Sequence, residues 1–366
     1  MTRGDAAGSF LFTGFPGFIG RRLLPRILEL KPAARATCIV QEKFLDIARE
    51  SVSAIESTHP RCQGRIEVMV GDITVEGLGL PDGAARELGR SVREAYHLAA
   101  VYDLSVPRDV GRRINVEGTK NVLGFLAGVR GFERLHYVST AYVSGTWRGT
   151  FRETDLDLGQ GFKNHYERTK FQAEVEVARS SVPHTVYRPG IVVGDSKTGE
   201  TGKFDGPYFV LRAMERLPSP GVFPRIGLAP GAVNIVPVDF VVAALAALST
   251  SPISAGKTYH LCDPRPHSSA ELVAMFSEAI GKRFVQVPVP RAVARAAFAP
   301  RAVRRFFGMP REALDYLGDA VCHDTAAATR DLAELGIACP RLPDYVPRLV
   351  DFYRRHRSDV RQEPMV

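Results

Sequence analysis

The sequence predicts an α/β protein built on a doubly wound parallel sheet, and three observations predict it. The first is Ser9–Leu24, where a short apolar strand (Phe10–Thr13) runs into glycines at 14, 17 and 20 and then into an apolar-periodic helix. The second is the recurrence of strand-length apolar runs at Ala36–Val40, Ile66–Val70, Ala95–Ala100, Glu133–Thr140 and His184–Arg188, with helix-patterned stretches between them. The third is size. At 366 residues, 45% hydrophobic and 24% charged, the chain can bury one large core or two closely joined ones.

In the first turn Gly14 suits a tight bend, Gly17 a close backbone approach to a pyrophosphate, and Gly20 close packing of helix on strand. Phosphates would rest on the unpaired N–H groups and positive end of the new helix. The second strand ends in Val40-Gln41-Glu42-Lys43. A site for NAD usually carries an acid here for the ribose 2′-hydroxyl, and Glu42 comes one residue late. Lys43 and Arg21 suit a 2′-phosphate instead, so the reading leans to NADP, with solvated surface charges as the alternative. Asp72, after the third strand, reads equally as an acceptor for an adenine amino group or as a turn cap. In A-Y-H-L-A-A (95–100) small residues let the chain pass beneath a ribose, and His97 reads as core.

The fifth strand leaves through Y-V-S-T-A-Y-V-S-G (137–145), setting the hydroxyls of Ser139 and Thr140 on the crevice side; ordinary β-propensity and turn chemistry explain them as well. Asn164 then opens a helix that continues through Ala178. Tyr166 and Lys170 stand at i and i+4, on one helical face. An ammonium one turn from a phenol favours the phenolate, lowering a pKa normally about 10 toward working pH. That would make the tyrosine a usable proton donor and acceptor.

Through T-G-F-P-G-F-I-G, H-L-A-A, N-V-E-G-T (115–119), V-S-T-A-Y-V-S-G, Y-E-R-T-K and Y-R-P-G-I-V-V-G-D-S (187–196) the chain resembles the extended short-chain dehydrogenase/reductases, over roughly its first 200 residues. The resemblance implies a Rossmann domain over 1–200, to which 233–262 return, and a smaller interleaved substrate region over 201–366. It implies Tyr166 as acid/base, Lys170 as holder of the nicotinamide ribose and tuner of the tyrosine, and Thr140 as partner of the substrate oxygen, with Asn115 counted among the catalytic residues. Cofactor contacts are then expected from Gly14, Phe15, Gly17, Phe18, Ile19, Gly20, Arg21, Lys43, Asp72, Ile73, Ala99, Ser139, Lys170, Pro189 and Ile191. Within the superfamily, V-S-T-A-Y-V-S-G and R-P-G-I-V-V-G-D-S-K-T-G look most like the fatty acyl-CoA and thioester reductase branch, with its male-sterility-type NAD-binding domain. Gln41 stands where many members carry an arginine for the NADP phosphate, and neither their long C-terminus nor an adenylation or carrier domain is expected within these 366 residues. The branch implies NADPH-dependent reduction of an acyl thioester to an aldehyde, the acyl group arriving on a separate CoA or acyl carrier protein. The alternatives are another extended reductase (a nucleotide-sugar epimerase or dehydratase, or a hydroxysteroid-type dehydrogenase) and an NADP-binding sensor without chemistry.

In the remaining chain a helix over Tyr208–Leu217 presents Phe209, Leu211 and Met214, either to the core or as the floor of an acyl pocket. Val233–Val238 reads as a strand, Asp239 as an N-cap for Phe240–Leu248, Lys257–Cys262 as a strand, and Ser269–Ile280 as an amphipathic helix. Arg291–Phe307 is basic, apolar on its other face and broken at Pro300. It suits an acidic carrier, the CoA phosphates, a peripheral membrane contact, or solvent. A last helix is expected over Asp344–His356, with a frayed final ten residues. The net charge of +8 comes without a Lys/Arg block interleaved with aromatics, which argues against nucleic acid. Five scattered cysteines, with no C-x-x-C pair, read as reduced thiols in a cytoplasmic protein and offer no metal cluster. The start carries no apolar signal segment, and Val233–Leu248 is interrupted by Asn234, Pro237 and Asp239, so no membrane span is expected.

Overall fold

The computed structural model describes residues 8–102, 106–226, 232–307, 309, 311–316 and 320–357. Seven strands form the central sheet: β1 (Ser9–Thr13), β2 (Arg35–Val40), β3 (Ile66–Val70), β4 (Val92–His97), β5 (Arg134–Val138), β6 (His184–Pro189) and β7 (Thr258–Leu261). Their order is β7-β6-β5-β4-β1-β2-β3, and every pairing is parallel. Parallel strands covered on both faces need apolar residues in succession, which is why Phe10, Leu11 and Phe12 of β1 are all buried. The chain moves outward from β1 in one direction through β2 and β3, then in the other through β4. That reversal opens a crevice at the carboxyl ends of β1 and β4.

Helices cover both faces. One layer holds α1 (Gly20–Leu30), the helix Leu45–Thr58, and the almost wholly buried helix Val238–Thr250, packed on Phe10, Phe12, Tyr96 and Tyr259. The other holds Gly118–Ala127 and α2 (His165–Arg179), packed on Leu11, Leu135 and Val186. A second core lies beyond the sheet, between α3 (Pro207–Arg216), Ser269–Ile280 and Leu342–His356.

Several expectations shift here. The fourth strand spans Val92–His97, and Leu98–Ala100 form the loop after it. Val233–Val238 is two short strands, Ala232–Val233 and Ile235–Pro237, because the Asn234 side chain leaves the strand path to bond Asp263 on both sides. Neither joins the central sheet; of the segment 233–262 only β7 does, while its long helix covers the sheet's face. Asp239 is no N-cap: Pro237 holds that position, and the Asp239 carboxylate accepts from the N–H and hydroxyl of Ser196 at 2.8 and 2.6 Å. A parallel pair between Gly221–Ile226 and Phe284–Val289, full of proline and exposed valine, was not legible as strands. The basic stretch forms two helices, Arg291–Ala297 and Arg301–Phe307, separated at Pro300. The chain's far end also returns: Val321–His323 pairs with Gly149–Phe151, and the helix Ala326–Glu334 packs on the first helix layer. Residues 358–366, which hold nearly all of the expected frayed tail, lie outside the described residues.

Candidate functional site

The glycine turn is built by close approach. Gly14 has φ +86°, and a Cβ there would stand 2.8 Å from the backbone of Leu98 and Ala99. A Cβ on Gly17 or Gly20 would stand 2.9 or 2.5 Å from the Gly14 carbonyl oxygen. α1 opens at Ile19 with no side-chain cap and no acid in its first turn, so its leading N–H groups have no anionic competitor. These features fit a dinucleotide: a backbone cradle that side chains would fill, at an uncapped helix N-terminus.

One cavity of about 270 Å³ runs from this turn to the substrate region. Gly14, Gly17, Phe18, Ile19 and Gly20 line one end; Ser139, Thr140, Tyr166, Lys170, Pro189 and Ile191 line the middle. The structure therefore gathers these expected residues on one wall, from the ends of β1, β5, β6 and the first turns of α2. Arg21, Lys43, Asp72, Ile73, Phe15, Ala99 and Asn115 stand outside that lining.

Each has a physical reason. Phe15 is fully buried in the core. Asp72 caps its own turn, accepting from Thr74 N at 2.8 Å, and its other oxygen accepts from Gln41 at 2.8 Å. Ile73 packs against Gly118. Ala99 N donates to Thr13 Oγ1 at 3.3 Å and backs the glycine turn. Lys43 is exposed on the short helix Glu42–Phe44, over the ring of Phe44, and Arg21 lies half-buried on α1. Asn115 lies in a π-helical turn (Arg112–Glu117) and is buried. Its amide accepts from Val101 N at 2.9 Å and donates to Thr169 Oγ1 at 3.0 Å. It ties the loop after β4 to α2 and positions both.

The electrostatics differ from the helical-face expectation. Lys170 Nζ donates to Val138 O at 2.9 Å and to Tyr137 OH at 3.2 Å, so its bonds run toward β5. Burial pushes its pKa down to about 8, partly opposed by Glu174. Burial pushes Tyr166 above the ordinary phenol range, and the Thr140 side chain, not the lysine, pulls it back. Tyr166 is a neutral phenol here. The Ser139 hydroxyl lines the cavity but donates to Glu174, which holds Arg188 at 2.6 Å. His97 is core, as expected: it bridges Thr13 and Thr119, and burial lowers its pKa to about 3.

Helix α3 gives the cavity a different face from the one expected. Leu211 and Met214 are fully buried in the second core and Phe209 packs elsewhere; Val210 and Pro207 face the cavity, with Leu272. Tyr102, Tyr142, Met309 and Tyr316 complete the wall. Tyr316 bonds Asn164 at 2.7 Å and packs edge-on against Tyr142 at 5.0 Å. A separation of 152 positions between Tyr316 and its partner Asn164 left no periodic signal by which to find it. Among the described residues no cluster of His, Cys, Asp or Glu could hold a metal, and no helix is long and apolar enough to cross a membrane.

A glycine turn at the sheet's reversal, with Thr140, Tyr166 and Lys170 on one cavity wall, defines an oxidoreductase of the extended short-chain dehydrogenase/reductase class. Residues 12–245 match the family described as male sterility protein, with its NAD-binding domain, and the chain belongs to that family. It is 31% identical over 286 residues to the nonribosomal peptide synthetase cpsA of Aspergillus campestris, covering 73% of this chain and 27% of that one. It is 25% identical over 276 residues to the fatty acyl-CoA reductase wat of Drosophila melanogaster, covering 66% and 53%. The chain thus spans about a quarter to a half of these relatives. The crystal structure of the terminal R domain from the myxalamid PKS-NRPS biosynthetic pathway superposes with a TM-score of 0.80 at 26% identity, covering 96% of this chain and 92% of that one.

Proposed function

We propose that this protein reduces acyl thioesters to aldehydes with NADPH. The observation that carries the reading is the single cavity joining the glycine turn, the Thr140–Tyr166 pair and a largely apolar far end. Similarity to a fatty acyl-CoA reductase and to synthetase reductase domains supports the thioester as substrate class. NADPH, when bound, supplies a hydride to the thioester carbonyl carbon. The hydroxyls of Thr140 and Tyr166 hold the oxygen on which charge develops. Tyr166 enters as a neutral phenol and gives that oxygen its proton. The resulting hemithioacetal collapses as the carbonyl re-forms and the thiol leaves. Lys170 would hold the nicotinamide ribose, its ammonium fixed by Val138 and Tyr137.

The proposed preference for NADPH over NADH rests on Lys43, just after β2, and Arg21 of α1, with Glu42 opposing it. A carrier protein or CoA would present the acyl group, and the basic helices Arg291–Ala297 and Arg301–Phe307 are the proposed dock for its acidic surface. Arg295 of these helices chelates Asp315 at 2.6 and 2.7 Å, next to Tyr316 of the cavity wall. The test is NADPH oxidation against a panel of acyl-CoAs, acyl carriers, ketones and nucleotide sugars, with aldehydes trapped as hydrazones. Turnover of thioesters with trapped aldehyde is expected; turnover confined to a nucleotide sugar or hydroxysteroid would overturn the reading.

A further inference from the structure

The run D-S-K-T-G after β6 has no part in the chemistry above, yet it is held as a platform. Asp195 Oδ1 accepts from the N–H groups of Lys197 and Thr198 at 2.8 and 3.0 Å, and Asp239 holds Ser196. Glu200 pairs with Arg22 of α1 at 2.6 Å. Thr201 Oγ1 donates to Lys203 O at 3.0 Å and accepts from Lys203 N at 3.4 Å. The backbone from 195 to 203 is thereby pinned to α1 on one side and to the helix Val238–Thr250 on the other.

Phe204 packs against Tyr208 and Tyr353 in the second core, while Lys203 and Asp205 on either side of it line the cavity. A cation and an anion two residues apart therefore share a wall with Val210, Val233 and Leu272. Burial pushes the Asp205 carboxyl up, while Lys203 and the backbone N–H of Asp205 itself pull it down.

We propose that Lys203 and Asp205 read a secondary amide of the substrate, the ammonium donating to its carbonyl and the carboxylate accepting from its N–H. The inference rests on the thioester reading, because it assigns this cavity to what lies beside the thioester. A half-buried pair so placed in a largely apolar wall favours an amide over an amide-free analogue, which would offer these polar groups no hydrogen bond. A secondary amide reaches this cavity from two sources: the pantetheine arm that carries the acyl group, or an acylated amino acid within the acyl chain itself.

The test measures binding without turnover. Four thioethers, with the reducible carbonyl replaced by methylene, combine an octyl or an isosteric pentanoyl-aminoethyl chain with pantetheine or benzyl mercaptan as thiol. Calorimetry with NADP⁺ present gives each affinity for the wild type, Lys203→Met and Asp205→Asn. The wild type should bind the amide-bearing member of one pair about tenfold more tightly, and each substitution should reduce that ratio below about threefold. A ratio that follows the chain assigns the amide to the acyl group; one that follows the thiol assigns it to pantetheine. A wild-type ratio near one for both pairs, or a ratio unchanged in both variants, would overturn the proposal. So would a loss confined to NADP⁺ affinity, which would make the pair a cofactor contact. Failure of the reductase reading appears separately, as absent thioester turnover.

Discussion

Tyr166 keeps its proton because the cavity desolvates it, while the ammonium one helical turn away bonds Val138 and Tyr137. Sharing a helical face brought the two side chains to one wall; it did not direct their heads at each other. A neutral phenol suits the reductive direction, which consumes a proton. Tyr166→Phe should lower turnover about 10²-fold or more while NADPH affinity and melting temperature stay near wild type, as steady-state kinetics and fluorescence titration would register. Lys170 has a pH signature. Its pKa is lowered from 10.5 to about 8, so between those values the unfolded chain binds a proton the folded one has lost. From this group alone, stability rises with pH across that window. The ammonium proposed to hold the ribose is lost in the same window, so NADPH affinity should fall above pH about 8, and Lys170→Met should flatten that dependence. An unchanged slope in the variant would remove Lys170 from cofactor binding.

At the scale of the element, α3 separates two readings that its composition left together. Its ten residues turn Leu211 and Met214 into the second core and Val210 toward the cavity, because adjacent positions on a helix face directions about 100° apart. Leu211→Trp should therefore overpack that core, lowering stability by roughly 1–3 kcal/mol with no change in acyl-length preference. Val210→Trp should instead move the longest accepted chain to a shorter one. Melting curves and kcat/KM across an acyl series distinguish the two, and the reverse pattern would exchange the roles. The first strand, turn and helix needed no such decision. Alternating demands on Gly14, Gly17 and Gly20 are local, and local geometry is what a sequence pattern records.

Across the whole molecule, the C-terminal half is tied back into the nucleotide-binding half at several points. Glu153, beside the short strand Gly149–Phe151, accepts from the N–H groups of His260, Ala327 and Ala328 at 2.9, 2.7 and 3.0 Å. Asp331 bonds Lys257 and Tyr259 at 2.7 Å each. The helix Ala326–Glu334 thereby joins the first core through Ala328 and Leu332, while Leu342–His356 belongs to the second. The same wrapping sets Arg295 of the basic helices on Asp315, one residue from Tyr316 of the cavity wall. Reversing the exposed Arg301 and Arg305 to Glu should lower kcat/KM for a carrier-bound acyl group about tenfold at low salt and much less at high salt. A free pantetheine thioester serves as the reference. Equal losses for both substrates would sink the docking role.

By itself the sequence determined the parallel sheet and the glycine turn and set Tyr166 and Lys170 on one helical face, because each is written in a short window whose periodicity or spacing reflects local backbone geometry; Thr140 came with the family resemblance. Only the tertiary structure decided where the charges point, that Asn115 and Asp72 support the site from outside its cavity, and that Tyr316, Lys203 and Asp205 stand inside it. Those outcomes depend on burial and on partners far along the chain, such as Asn164 for Tyr316, and no window of sequence contains both members of such a pair.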